Sequence, residues 1–166
     1  MRYLKLLLIL PSTLLLQGCW GWGTGREDDM PPQSAYRAVT MPRDVFENAI
    51  TLTAAKPVYK AGKIYIKDNL MFVTEVNKGF HIYDYTDPAN PRKKAFLEIA
   101  GATDVAIRGN NLYINQAVDL VTLVYDNNQI TLGGRTRNIF PQKASPDGHA
   151  VSIANNYEII VDYIPR

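Results

Sequence analysis

The chain is poor in the residues that most often carry chemistry: of 166 residues one is cysteine, Cys19, and two are histidine, His81 and His149. A single thiol excludes an internal disulfide framework and any metal site built from several thiolates, and zinc would need both histidines together with carboxylates, so no metal site is assigned. The chain also lacks an excess of either charge. With 18 Lys and Arg against 16 Asp and Glu, and no basic cluster, it has no electrostatic footprint for nucleic acid, and no nucleic-acid partner is expected. No serine sits in a Gly-x-Ser-x-Gly elbow and no glycine-rich loop precedes a helix, so elbow hydrolases and dinucleotide enzymes lose their usual signals. No catalytic residue and no cofactor are assigned. There is no apolar run of the roughly 20 residues that a transmembrane helix needs. A hydrophobic fraction of 46% with 20% charged residues excludes a wholly disordered chain and fits one globular domain, or a domain and a tail.

What is present begins with an address. Residues 1–18 open on a basic segment, Met1-Arg2-Tyr3-Leu4-Lys5, followed by an apolar run from Leu6 to Leu16 that Pro11, Ser12 and Thr13 interrupt, and end at Gln17-Gly18. This is the pattern of a signal peptide, to be excluded from the fold. The lone Cys19 follows at once, and Leu16-Gln17-Gly18-Cys19 resembles the lipobox of bacterial lipoproteins, with Gln17 departing from the usual small or apolar residue. The resemblance implies cleavage before Cys19 and lipidation there, with enough acyl chains on one residue for stable anchoring in the membrane. Cleavage removes Arg2 and Lys5, after which basic and acidic side chains are equal in number.

Residues 19–35 read as a flexible tether, rich in glycine, proline and charge. Trp20 and Trp22 lie beside the lipidated residue, where indoles favour the membrane interface. Trp20, rather than Asp, after the cysteine points by resemblance to enterobacterial sorting to the bacterial outer membrane. The trio Glu27-Asp28-Asp29 is similar to the export signals of surface lipoproteins in the Bacteroidetes.

Residues 36–62 read as an N-terminal extension: a strand at 36–40, a short helix at 41–50 with proline in its first turn, and an extended stretch at 51–53. From Lys63 the pattern becomes regular. Strands are predicted at 63–67, 70–76, 79–85 and 94–99, and again at 103–108, 111–115, 119–125 and 129–133, separated by Asn, Gly and Pro turns. Ile66-Lys67-Asp68-Asn69 falls on Ile107-Arg108-Gly109-Asn110 and Met71-Phe72-Val73 on Leu112-Tyr113-Ile114. Ile82-Tyr83-Asp84 falls on Val124-Tyr125-Asp126, one residue further along, which places an extra residue in the second copy's loop. Four strands per repeat of this length is the pattern of a β-propeller blade. The β-repeat domain thus runs over 63–166, with copies at 63–102 and 103–146 and a partial one at 147–166, where Ile159-Ile160-Val161 is a fully apolar strand.

Phe72-Val73, Gly79-Phe80-His81-Ile82-Tyr83-Asp84, Thr86-Asp87-Pro88-Ala89-Asn90-Pro91, Asp104-Val105-Ala106-Ile107 and Asp119-Leu120-Val121 together resemble the LVIVD repeat family of bacterial envelopes. That resemblance implies a β-propeller and no catalytic residues. The expected fold class is therefore all-β: antiparallel four-stranded propeller-type blades, two to two and a half repeats, an incomplete propeller with a small N-terminal extension and one short helix. Two and a half copies cannot close a ring of at least four blades. Three explanations stay open: a truncated piece of a longer propeller lipoprotein, sheets packed face to face with residues 36–62, or a ring completed by self-association.

The remaining candidates for chemistry are few. His81 and His149 read as surface or half-buried structural histidines. Asp84 and Asp126 recur at matching strand ends, with Asp87 three residues after Asp84, and such carboxylates either hold calcium or cap turns. Tyr65, Tyr83, Tyr85, Tyr113 and Tyr125 lie on strands, some facing the core and some outward, where tyrosine binds proteins and sugars. The expected role is a lipid-anchored cell-envelope binding or scaffolding module, with an envelope protein or a glycan as partner. An envelope hydrolase with an Asp/His site is the alternative: a convergent Asp/His cluster in a deep pocket would mark the enzyme, and a shallow aromatic surface the binder.

Overall fold

A computed structural model describes residues 33–149 and 157–166. The signal segment, Cys19, the tether up to residue 32 and the opening of the third copy at 150–156 lie outside the described residues. The elements run β1 (Tyr36–Pro42), α1 (Arg43–Asn48), β2 (Ile50–Thr53), β3 (Ala61–Lys67), β4 (Leu70–Glu75), β5 (Gly79–Asp84), β6 (Arg92–Ile99), β7 (Ala102–Arg108), β8 (Asn111–Gln116), β9 (Asp119–Asp126), β10 (Gln129–Thr136) and β11 (Glu158–Pro165). All of them belong to one compact unit, Ser34–Arg166, which also contains both hydrophobic clusters. Among the described residues no helix is long and apolar enough to cross a membrane.

The fold is all-β, and the repeat is visible in its topology. Strands β3 to β6 form one antiparallel meander and β7 to β10 another, the connectivity expected of propeller-type blades, in an open arrangement. The turns follow from residues that tolerate a left-handed backbone: Asp68 and Gly109 occupy equivalent places at φ 53° and 57°. Asn127 and Asn128, at φ 46° and 60°, make the two-residue turn whose twist matches a hairpin. The expected extra residue in the second copy is not in its loop. Only Ala117 and Val118 join β8 to β9, against three residues between β4 and β5, and the added length lies in β9, eight residues against six in β5. Hairpin register therefore places Gly79 on Asp119 and Tyr83 on Leu123.

β2 joins the first meander beside β6, giving a five-stranded sheet in the order β2-β6-β5-β4-β3, which packs on the four-stranded sheet β10-β9-β8-β7. Alternation along each strand supplies the shared core. Phe72, Phe80, Ile82, Leu97 and Ile99 from the first sheet meet Val105, Leu112, Ile114, Val121 and Leu123 from the second. Each such side chain contributes about 1.5–3 kcal/mol when fully buried.

Residues 36–53, most of the extension expected over 36–62, are built into two of the three sheets. β1 pairs with β11 in a two-stranded sheet, β2 extends the first meander, and α1 between them buries Phe46 in a second cluster with Ala117, Val118, Ile159 and Val161. α1 has only six residues, and its C-terminal carbonyls are satisfied from the second meander: Gln116 Nε2 donates to Phe46 O at 3.2 Å and Arg135 Nη2 to Glu47 O at 3.2 Å. The apolar strand of the third copy pairs with β1 rather than opening a third meander. Ile159, Ile160 and Val161 are all buried because both faces of β11 are covered. Gln142 acts as a one-residue strand along its edge, accepting from Ile160 N at 3.0 Å and donating to Glu158 O at 3.0 Å.

Candidate functional site

Three side-chain constellations and one cleft are candidates for function. The first constellation corrects an expectation. His81 is neither at the surface nor half-buried: it is 2% exposed, on the outer face of the five-stranded sheet, where residues 54–60 fold back as a strap. Glu75 ties the strap down, accepting from Tyr59 N at 2.9 Å and Lys60 N at 2.5 Å while His81 Nε2 lies 2.9 Å from its Oε2. The imidazole packs on Phe96 with ring centres 4.7 Å apart. Burial pushes the Glu75 carboxyl up, but the Tyr59 amide, His81 and the Lys60 amide outweigh it and leave it below the ordinary value. With both carboxylate oxygens occupied, the pair is a structural clamp.

The second constellation has no local sequence signal. Asp119 is fully buried at the start of β9 and accepts from Arg43 Nη1 at 2.7 Å, Arg135 Nη1 at 2.8 Å and the Asn138 amide at 3.0 Å. Both guanidiniums also lie over the Phe46 ring, at 5.6 and 5.5 Å. Burial raises the Asp119 carboxyl, yet the Asn138 amide and the two arginines hold it below the usual carboxylate range. Every charge is paired, and the network ties α1 to β9 and β10.

The third has the residue types of a hydrolase without its geometry. His149 Nδ1 lies 3.2 Å from Asp147 Oδ1, and Ser34 Oγ donates to the same carboxylate at 3.0 and 3.1 Å. In a catalytic triad the serine bonds the imidazole and the imidazole bonds the acid. Here Ser34 bonds the acid and Ser145 Oγ, 2.9 Å away. Hydrogen bonds from Ser145, the Ala35 amide and Ser34 hold the Asp147 carboxyl far below its ordinary value. The function of this cluster is to fasten the chain entering β1. His81 and His149 thus stand in separate clusters and do not converge.

The recurrent aspartates cap turns. Asp84 accepts from Thr86 N at 2.9 Å and Thr86 Oγ1 at 2.6 Å, and Asp87 from Ala89 N at 3.0 Å and Asn90 Nδ2 at 2.9 Å. Asp126 lies at a different depression, beside Tyr125 and Asn128. Among the described residues no three His, Cys, Asp or Glu side chains come together as a metal site. The tyrosines do not form one row: Tyr65 packs against the main core and donates to Asp104, Tyr125 is buried, Tyr83 and Tyr113 lie on the outer faces of different sheets, and Tyr85, expected on a strand, falls just past the end of β5.

The cleft has the composition of a binding site. It has a volume of about 440 Å³ and lies between the β1–β11 sheet and the β2–β6 side of the five-stranded sheet. Val39 and Met41 of β1, Val161 of β11, Ala49 and Ala100 give it an apolar lining continuous with the Phe46 cluster. Thr51, Asn77, Lys78 and Glu98 supply its polar groups. Apolar walls with a few fixed polar groups are what small ligands and partner side chains enter. The rim is neutral because its charges are paired: Lys78 Nζ lies 3.0 Å from Asp162 Oδ2, and Lys56 Nζ 2.7 Å from Glu98 Oε2. Asn77 Nδ2 also donates to Asp162 at 2.5 Å and its amide oxygen accepts from Lys143, whose ammonium burial pulls below the ordinary lysine value against the attraction of Asp162. The sequence pattern marked none of these residues as a site, because the cleft exists only where the β1–β11 sheet meets the β2–β6 edge.

Comparison of the chain with protein-family models, with characterised proteins and with solved structures found no match.

Proposed function

We propose that this chain is a binding or scaffolding module of the bacterial cell envelope, held at the outer membrane by lipid on Cys19, and that it takes an apolar side chain or ring of an envelope protein or glycan in the cleft between the two-stranded and five-stranded sheets. The observation that carries the binding part is the cleft itself, apolar inside and neutral at its rim. The lipid part rests on Leu16-Gln17-Gly18-Cys19 behind a basic and apolar leader, and the envelope setting on the resemblance to LVIVD repeats. A rigid pair of packed sheets carrying a clamped edge suits a surface that must keep its shape while the chain is tethered.

Two measurements test the reading separately. Cys19→Ala is expected to move the protein from the membrane fraction to the soluble fraction, and continued membrane association refutes the anchor. For the cleft, anilinonaphthalene sulfonate is expected to gain fluorescence on the folded protein, and Ala100→Trp, which fills the cleft, to remove most of that gain with the melting temperature kept. Undiminished fluorescence in Ala100→Trp, in a protein that melts as before, overturns the cleft as the binding site.

A further inference from the structure

The outer face of the five-stranded sheet carries the positions that its own repeat uses for packing. Cross-strand register lays Ile64, Val73, His81, Phe96 and Thr53 in one row on that face, and Ile66, Met71, Tyr83 and Lys93 in the next. In the second copy the positions equivalent to Ile64, Ile66, Met71, Val73, His81 and Tyr83 are Val105, Ile107, Leu112, Ile114, Val121 and Leu123. Those six form the inner face of the four-stranded sheet, packed against Phe72, Phe80 and Ile82 of the first. The same face of the repeat is therefore buried in one copy and outward in the other.

On the outward copy it remains apolar. Ile64 and Ile66 are 59% and 54% exposed, Met71 and Tyr83 are half-buried, and the strap that covers His81 and Phe96 adds Val58 and Tyr59, the latter 85% exposed. Contiguous apolar surface of this kind on a sheet marks an interaction site. The counterpart it is shaped for is also fixed by the repeat. Phe72, Phe80 and Ile82 correspond to Tyr113, Leu120 and Thr122, on the outer face of the four-stranded sheet. That face, too, is free of any packed sheet within the described residues.

From this juxtaposition we propose that a second copy of the chain docks the outer face of its four-stranded sheet, centred on Tyr113, Leu120 and Thr122, onto the Ile64-Ile66-Met71-Tyr83 strip, repeating between chains the part of the internal sheet contact that the strap over His81 and Phe96 leaves open. The contact is heterologous, one face meeting a different one, so association continues until the ring closes or a face is blocked. It is independent of what the cleft binds. The receiving strip is more apolar than the face it receives, where Thr122, Asn111 and Thr131 dilute the apolar side chains, so the assembly is concentration-dependent and dissociates on dilution.

Residues 20–166, which retain the whole folded unit and carry no cysteine, provide the test. Light scattering should give a mean mass that rises with concentration. Ile66→Asp and Thr122→Arg should each reduce it to a monomer, and the two variants mixed in equal amounts should form a dimer, since each keeps the face the other has lost. In a second measurement, Ile66→Cys mixed with Thr122→Cys should form a disulfide between chains much faster than either alone. A monomer at every concentration overturns the proposal. So does a dimer abolished by Ile66→Asp but untouched by Thr122→Arg, which would mean two five-stranded sheets pairing face to face. Unchanged cross-linking rates in the mixture overturn it even where a charged variant fails to fold.

Discussion

The two meanders begin from one repeat and are closed by opposite means. At the strand start after the second hairpin turn, the first copy has Gly79 and the second Asp119. In the first copy the backbone comes so close that a Cβ on Gly79 would lie 1.9 Å from Leu97 O, and φ is 139°. In the second a buried carboxylate occupies the equivalent place, held by Arg43 and Arg135. One sheet is closed by contact, the other by charge. The difference teaches why residues 36–53 are needed. The five-stranded sheet is completed by β2 and by its own strap, whereas the four-stranded sheet depends on an arginine and a helix brought from the start of the domain.

Substitution at this shared position separates the two modes most widely. Gly79→Ala places a methyl group inside a backbone carbonyl at a φ that side chains rarely adopt, and the clash and strain together cost on the order of 5 kcal/mol. That is comparable to the whole stability of a small domain, so loss of the cooperative urea transition is expected. A variant that unfolds like the parent would show that β5 and β6 can separate at this point, and the contrast between the copies would fail.

Asp119→Ala should be the next largest. It leaves two guanidiniums without their carboxylate in a buried site, at a cost of about 3 kcal/mol, read as a lowered urea midpoint. Its pH dependence has a definite sign. The folded-state value of Asp119 lies below the unfolded one, so its contribution is complete above the unfolded value of about 3.9 and is lost as pH falls from there through the folded value. Melting temperatures followed downward through that window should therefore fall more steeply in the parent than in Asp119→Ala. Equal slopes would assign the acid sensitivity to Glu75 and Asp147 instead, and the second sheet would not be closed by this charge.

How much of this could be read in advance follows from the range of each interaction. The eight strands of the two meanders were legible because alternation and turn residues act over a few positions. Asn127-Asn128 and the equivalence of Asp68 with Gly109 announced their hairpins, and Ile159-Ile160-Val161 its burial. The partners of those elements were not. β1 finds β11 across more than a hundred residues, and Arg43 meets Asp119 with no spacing rule between them. His81 departs from its pattern for the same reason: its alternating strand suggests a half-exposed site, and only the strap, fixed through Glu75, buries it. The cleft lines the junction of these distant elements, and so was invisible to patterns that act locally.

The smallest effect is expected two residues earlier, inside the hairpin turn itself, where the copies also differ. Asn77 and Ala117 occupy equivalent places in the two hairpins at φ 62° and 47°. Asparagine tolerates that region because its amide finds partners, and Asn77 uses its own on Asp162 and Lys143. Alanine has no such compensation and is strained there by about 1 kcal/mol. It stays because its methyl group is buried against Gly101 and the Phe46 cluster, which returns about 0.8 kcal/mol. Ala117→Gly removes both terms, so the urea midpoint should change by less than the equivalent of about 1 kcal/mol. A clear stabilisation would mean that the methyl packs poorly and that the second hairpin, like the first, is shaped by backbone conformation alone. A clear loss would mean that packing against Gly101 sets the path of the chain from β8 to β9, extending to the turn the difference already present at Gly79 and Asp119.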